Sequence, residues 1–218
     1  MRLSKPYKKY IFDCDGVILD SNNLKIQAMK VSLSKYFSDN DLIADCLNYF
    51  KHNFGKSRFH HINYFLDSIF FFPSKETMMQ KLLTDYSNQC RILYSTANIT
   101  PGSISFINNC NGEKYIASGS EQSELRDIFL QRGLDSYFNG IFGSPTPKAK
   151  IIERILKKDN CNNAVMFGDS HADMIAAQEN KIDFVFYTPF SNVKNEMIEI
   201  CIQNNHHIFD DFTKLRAY

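Results

Sequence analysis

The sequence predicts an α/β fold: a parallel sheet with helices on both faces, interrupted just after its first strand by an all-helical insertion. Three observations carry that prediction. Residues 8–14 (KKYIFDC) are a short aromatic and branched run that ends in acids and a glycine, as a central strand does where it opens into a loop. Residues 22–94 then repeat apolar side chains at three and four spacings, with no convincing strand among them. After Thr100, Pro101 and Gly102 the texture changes to short apolar runs alternating with helical patterns. A chain of 218 residues fits one domain with a large insertion, divided as a core of 1–21 and 97–218 around a helical segment of 22–96.

Four helices are expected in the insertion. Their stripes are Leu24, Ala28 and Val31; then Leu42, Ala44, Cys46, Leu47 and Phe50; then Ile62, Phe65, Leu66 and Ile69; then Met78, Leu82, Leu83 and Tyr86. Phe70, Phe71 and Phe72 are assigned to the core of this segment, with a dimer contact as the alternative. Beyond Gly102 the buried-type strands are 114–118 (KYIAS), 140–143 (GIFG), 164–168 (AVMFG) and 184–187 (FVFY). Helical patterns over 103–109, 121–132, 149–158, 172–180 and 193–203 separate them, which argues a parallel sheet covered on both faces.

Composition narrows the function. With 25 Lys+Arg against 24 Asp+Glu the formal charge is +1, too weak a field to hold a polyanion, so no nucleic-acid partner is expected. Hydrophobic residues make up 44%, too many for a disordered chain, yet no apolar run approaches the roughly 20 residues that span a bilayer. The opening MRLSKPYKKYIFDCDG has no apolar stretch of the secretory type, so a cytoplasmic protein is expected. Six evenly spread cysteines without a CxxC pair read as reduced, mostly buried thiols, and His206–His207, without acidic or cysteine companions, reads as surface. The charge also divides unevenly: residues 22–96 carry nine Lys and Arg against six Asp and Glu, a net +3 that leaves −2 for the rest. A mildly basic helical segment thus faces an acid-bearing core, an arrangement that complements a small anion held between them.

In open parallel sheets ligands bind at the carboxyl ends of the strands, so polar residues that directly follow apolar runs are the candidates. The first run gives Asp13, Asp15 and Gly16, with Asp20 and Ser21 further on; the second gives Ser118, Gly119 and Ser120. Lys148 and Lys150 follow the third, and Gly168, Asp169, Ser170 and Asp173 follow the fourth. Carboxylates gathered at one sheet end repel one another unless a cation sits between them or they take up protons. Mg²⁺, a hard ion that uses one or two carboxylates plus a substrate phosphate, is the natural partner. A hydroxyl, the amides near Gly119 and a lysine would hold phosphoryl oxygens, so the pattern reads as phosphoryl transfer. The blander reading makes Asp169 and Ser170 simple helix caps.

FDCDGVILDS resembles the DxDGxxxDS first motif of the haloacid dehalogenase superfamily, and Ser118, the downstream lysine and GDSHAD resemble its second, third and fourth motifs in order. The resemblance implies a Rossmann-like core, a helical cap of the C1 type over residues 22–96, and a Mg²⁺-dependent phosphatase. By position it implies Asp13 as nucleophile, Asp15 as general acid and base, and Ser118, Gly119 and Lys148 as holders of the transferring group, with Lys150 as the alternative lysine. It further implies a metal site of Asp13, the Asp15 carbonyl and Asp169, supported by Asp173. A carboxylate at Asp15 favours phosphate esters over the carbon substrates of true dehalogenases. Lys25, where the phosphoglucomutase-like branch carries histidine, favours hydrolysis over phosphosugar isomerisation.

In the insertion, the glycine bend before Lys56, Ser57, Arg58, Phe59, His60 and His61 reads either as a loop that meets the leaving group through Lys56, Arg58 and His60 or as a solvated helix start. The expected partner is a small phosphorylated metabolite such as a sugar phosphate, a phosphoglycolate-like acid or a nucleotide, acted on by a monomer or homodimer. A mutase and a non-catalytic phospho-ligand or protein binder are the other readings.

Overall fold

The computed structural model describes residue 3 and residues 5–217; Met1, Arg2 and Ser4, part of the stretch read above for a secretory signal, lie outside the described residues, as does Tyr218. The chain opens on β1 (Lys9–Phe12), buried at every position, and a two-residue β2 (Leu19–Asp20). Four α-helices follow: α1 (Asn22–Ser34), α2 (Asn40–His52), α3 (Arg58–Tyr64) and α4 (Lys75–Thr96), with a π-helical turn at Phe65–Ile69. The chain then alternates through β3 (Asn98–Ile99), α5 (Ser103–Asn108), β4 (Glu113–Glu121), α6 (Gln122–Gln131), β5 (Gly140–Ser144) and α7 (Lys148–Lys157). It ends with β6 (Ala164–Gly168), α8 (His171–Glu179), β7 (Asp183–Tyr187), α9 (Lys194–Gln203) and β8 (His207–Phe209). Among the described residues no helix is long and apolar enough to cross a membrane.

The main sheet is parallel throughout, in the order β5-β4-β1-β6-β7-β8. After β1 the chain builds outward on one side through β4 and β5, then crosses back to place β6 on the other. The order therefore reverses at β1, which opens a crevice at the carboxyl ends of β1 and its neighbours. Side chains alternate as the pleat requires: Tyr10, Phe12, Val165 and Phe167 join one core layer, and Ile11, Ala164 and Met166 the other. The first layer runs on without a break into the apolar faces of α1, α2 and α4. β2 and β3 pair antiparallel, Leu19 with Ile99 and Asp20 with Asn98, which sets the two chain crossings that flank α1–α4 side by side.

Several expectations need correcting. In α1, Leu24 and Val31 are exposed, whereas Ile26, Met29 and Leu33 are buried. The buried face of this helix also carries Asn22, Lys25 and Ser32, and those polar residues disguised the stripe. Phe71 is exposed, while Phe70 and Phe72 pack against the core, with Phe70 stacked on Phe37. His206 and His207 are half-buried where β8 forms the sheet edge, an element too short to announce itself by pattern. All six cysteines are free thiols, and Cys161 alone among them is not buried.

Candidate active site

Asp13 is the first residue beyond β1, and its N–H donates to the carbonyl of Phe167 at 2.9 Å, which ties it to the end of β6. Asp169 stands one residue beyond β6, and Asp173 lies in the first turn of α8. Carboxylate oxygens of Asp13, Asp169 and Asp173 lie within 4.8 Å of one another, all buried. The helix-capping role belongs to Ser170 and Asp173: Asp173 Oδ2 accepts from Ser170 Oγ at 2.6 Å, from Ser170 N at 3.1 Å and from Asp169 N at 3.2 Å. Asp169 is instead held by Asn22, whose Nδ2 donates to its Oδ2 at 2.6 Å and to the carbonyl of Phe190 at 2.9 Å. Gly16 passes so close, at φ +74°, that a Cβ there would stand 2.2 Å from Asp169 Oδ2.

Lys148, the first residue of α7, is buried with its Nζ 3.0 Å from Asp13 Oδ2 and paired with Asp173 Oδ1. Lys150 is exposed and pairs with Glu153, so the lysine that reaches the carboxylates is Lys148. One ammonium among three carboxylates leaves the cluster short of positive charge. Burial, and then the Asp173 charge, push Asp13 well above the ordinary carboxylate range, although Lys148 pulls it down. Asp169 is raised by burial and by Asp173 and Asp13. Lys148, which burial alone would lower, is raised by Asp13 and Asp173. Hard oxygen donors gathered at this spacing, with two of them resisting ionisation, fit a divalent cation such as Mg²⁺.

Asp15 belongs to a separate cage. Lys25 Nζ lies 2.9 Å from its Oδ2, Ser120 Oγ donates to Oδ2 at 2.9 Å, and Ser21 Oγ and Tyr94 Oη donate to Oδ1 at 2.6 and 2.8 Å. Burial would raise this carboxyl, but Lys25 and the hydroxyls hold it below the usual range. Asp15 is therefore ionised while Asp13, two residues away, resists ionisation. Ser118, two residues beyond the partner of Phe12 in β4, is buried, and its Oγ accepts from Ser120 N at 3.1 Å. Next to it, a Cβ on Gly119 would stand 2.3 Å from the carbonyl oxygen of Gly55, so the loop before α3 rests directly on this part of β4.

Of the residues in that loop region, Lys56 is exposed and donates to Asn53 Oδ1 at 2.8 Å, and His60 is exposed beside Tyr49 Oη at 2.8 Å. Both line a cavity of about 310 Å³ that also meets Gly119, Pro147 and Lys148. Arg58 is buried and forms a two-pronged ion pair with Glu124 on α6, at 2.8 and 2.6 Å. Asp20 does not join either group. Sequence reasoning missed Asn22, Tyr94 and Glu124. Asn22 was within reach, because it continues the polar run Asp20–Ser21–Asn22 after an apolar triplet.

The family model described as haloacid dehalogenase-like hydrolase matches residues 10–187. No curated protein matches the chain. Among solved structures, a predicted phosphatase from Clostridium acetobutylicum is 17% identical with a TM-score of 0.74, covering 96% of each chain. CbbY from Rhodobacter sphaeroides, in complex with phosphate, is 15% identical with a TM-score of 0.73, covering 97% of each chain. The HAD-hydrolase YfnB from Bacillus subtilis, bound to magnesium, is 18% identical with a TM-score of 0.63, covering 84% of this chain and 89% of its own. At these identities the likeness is one of fold.

Proposed function

This chain belongs to the haloacid dehalogenase-like hydrolases, and from that premise we propose that it is a Mg²⁺-dependent phosphatase acting on a small phosphomonoester through an aspartyl-phosphate. The observation that carries this reading is Asp13 at a sheet end, beside Asp169 and 3.0 Å from the Lys148 ammonium. In this reading residues 22–96 form a cap over a core of 1–21 and 97–218, and the Gly55 loop seated on Gly119 keeps bulk water from the crevice.

Asp13 supplies the attacking oxygen, and the phosphoryl group passes to it as the bond to the leaving oxygen breaks. Ser118, the amide of Gly119 and Lys148 bind the phosphoryl oxygens, and Lys148 offsets the repulsion between Asp13 and an incoming dianion. Asp15, ionised in the free site, takes up the proton of a monoanionic phosphate ester, gives it to the leaving oxygen, and then takes one from the water that cleaves the acyl phosphate. Its ionised state here is the form the second half requires. The carboxylates of Asp13 and Asp169 and the carbonyl of Asp15 would hold Mg²⁺, with Asp173 fixing the turn that carries Asp169. When bound, the ion supplies positive charge that the cluster lacks and that a phosphoryl group needs. The phosphate bound by CbbY and the magnesium bound by YfnB support this assignment.

Release of inorganic phosphate from an aryl phosphate with Mg²⁺ tests it. Turnover by the wild type and none by Asp13→Asn is expected; full activity in the variant would exclude Asp13 as the nucleophile.

A further inference from the structure

Arg58 and Glu124 join the two sides of the crevice. Arg58 opens α3, Glu124 sits on α6, and Ser87 of α4 donates a third hydrogen bond to the same carboxylate. Both members of the pair are buried, and the guanidinium carbon lies 5.2 Å from the centre of the Tyr86 ring. Between them and the Asp15 cage is a cavity of about 10 Å³ whose walls include Lys25, Arg58, His61, Tyr86, Gly119 and Ser120. Lys25 and Ser120, which both bind Asp15, are among those walls, so the cavity adjoins the cage of the proposed proton donor.

The buried charge facing this cavity is balanced. Lys25 is matched by Asp15 and Arg58 by Glu124. Lys56 turns to Asn53 at the surface. Among the walls of the cavity is one uncharged imidazole, that of His61. His61 is 1% exposed, and both of its ring nitrogens are buried without a hydrogen-bond partner. Burial, with His60, Lys25 and Lys56 nearby, pushes this imidazole down to about 3; the Lys56 carbonyl pulls the other way without reaching hydrogen-bond geometry. A neutral imidazole presents one N–H and one lone pair, the complement of a hydroxyl group.

We propose that Glu124 is a positioning residue for substrate choice: by holding Arg58 in a buried ion pair, it restricts the site to phosphomonoesters whose leaving group is uncharged and hydroxylated. The proposal rests on the phosphatase reading and deepens it. The cavity is smaller than any leaving group, so the proposal requires the helical segment to ease away as substrate binds and then to return. On return, a second phosphate or a carboxylate on the leaving group would meet an Arg58 already neutralised, with the Glu124 carboxylate beside it. To take Arg58 for itself it would strand Glu124 as an unpaired buried charge. A polyol, sugar or nucleoside makes no such demand and gives His61 the partner it lacks.

Matched pairs test this: glycerol 3-phosphate against 3-phosphoglycerate, and a hexose monophosphate against the hexose bisphosphate. The wild type is expected to favour the uncharged leaving group by about tenfold or more in kcat/KM. In Glu124→Gln the ratio should fall toward one, through a lower KM for the charged substrates with kcat little changed between members of a pair. Calorimetric binding of the same pairs to Asp13→Asn gives a readout free of turnover. Equal or better handling of the charged member by the wild type overturns the inference even if Glu124→Gln fails to fold, as does an unchanged ratio in a folded variant. Absence of phosphate release from every ester, an aryl phosphate included, overturns the phosphatase reading and this inference with it.

Discussion

The ammonium of Lys25 sits 2.9 Å from Asp15 Oδ2, and both groups are buried, so each neutralises the other where water cannot. The pair spans from α1 to the loop after β1 and is braced by Ser21, Tyr94 and Ser120. Removal of one partner leaves the other as an uncompensated charge. Lys25→Met is accordingly expected to cost about 3 kcal/mol of stability, the low end of the range for broken buried pairs, because three hydroxyls still serve Asp15. Urea denaturation measures it, and a loss under about 0.5 kcal/mol, the level of an exposed pair, would contradict the structural account.

Asp13 and Asp169 give the metal-free protein a defined response to pH. Both carboxyls are raised in the folded state above their unfolded values, Asp13 to about 7. A group raised in this way favours folding below its unfolded pKa, and that contribution is lost as pH rises through the folded value. The melting temperature of metal-free Asp13→Asn should therefore gain on that of the wild type as pH is taken from 5 to 8. Mg²⁺ should stabilise the wild type more at pH 8 than at pH 5. Thermal melts across that range, with and without the ion, decide it; a Mg²⁺ increment that shrinks with rising pH would refute the charge balance described for the cluster.

Asn22 orients Asp169 from the start of α1. Asn22→Ala keeps every carboxylate but lets Asp169 swing, and outer groups that aim a ligand typically govern affinity by about 10- to 100-fold. The Mg²⁺ concentration for half-maximal activity should rise by that factor, with saturating Mg²⁺ restoring much of the rate. A titration unchanged from wild type would show that Asn22 does not position the ligand.

Gly119 lies under the Gly55 carbonyl, and a methyl group there would meet backbone rather than a side chain that could turn aside. In Gly119→Ala the loop must lift off. If Gly119 binds phosphoryl oxygens as proposed, a displacement of about 1 Å there is worth up to about 10²-fold in rate. The expected result is a fall of that order in kcat, with faster proteolysis between residues 53 and 57. Wild-type rates and wild-type cleavage would mean that the loop and β4 do not need this contact.

The places of Asp13, Asp15 and Asp169 were legible because an apolar run followed at once by polar groups marks the end of a parallel strand, whereas β4 runs on past Ser118 to Glu121 and Asp173 lies in the first turn of α8. Lys148 is preferred over Lys150 in the sequence because Pro147 before it fits a helix start, and in α7 it is Lys148 that turns inward while Lys150 is exposed. Tyr94 reaches Asp15 across 79 positions of chain, and no pattern near Tyr94 distinguishes it from an ordinary buried tyrosine of a long helix. Glu124 was hidden in the same way, its partner Arg58 lying 66 positions away. The α1 stripe was misread because a helix that delivers Asn22 and Lys25 to a crevice must bury polar groups on the face that patterning expects to be apolar.

The two-residue ribbon of β2 and β3 has a consequence for how this architecture can vary. Because Leu19 faces Ile99 and Asp20 faces Asn98, the chain departs from the sheet and returns to it at neighbouring backbone positions. For the sheet, everything in between is a loop whose ends are already joined, so its length enters the closure cost only logarithmically. The stretch between α1 and α4 can be lengthened, shortened or exchanged without shifting the register of β1 against β4 and β6, provided that α1 keeps Asn22 and Lys25 and α4 keeps Tyr94, which hold Asp169 and Asp15. The middle of the insertion is thus free to vary while its two ends, which carry Asn22, Lys25 and Tyr94, stay tied to the carboxylates.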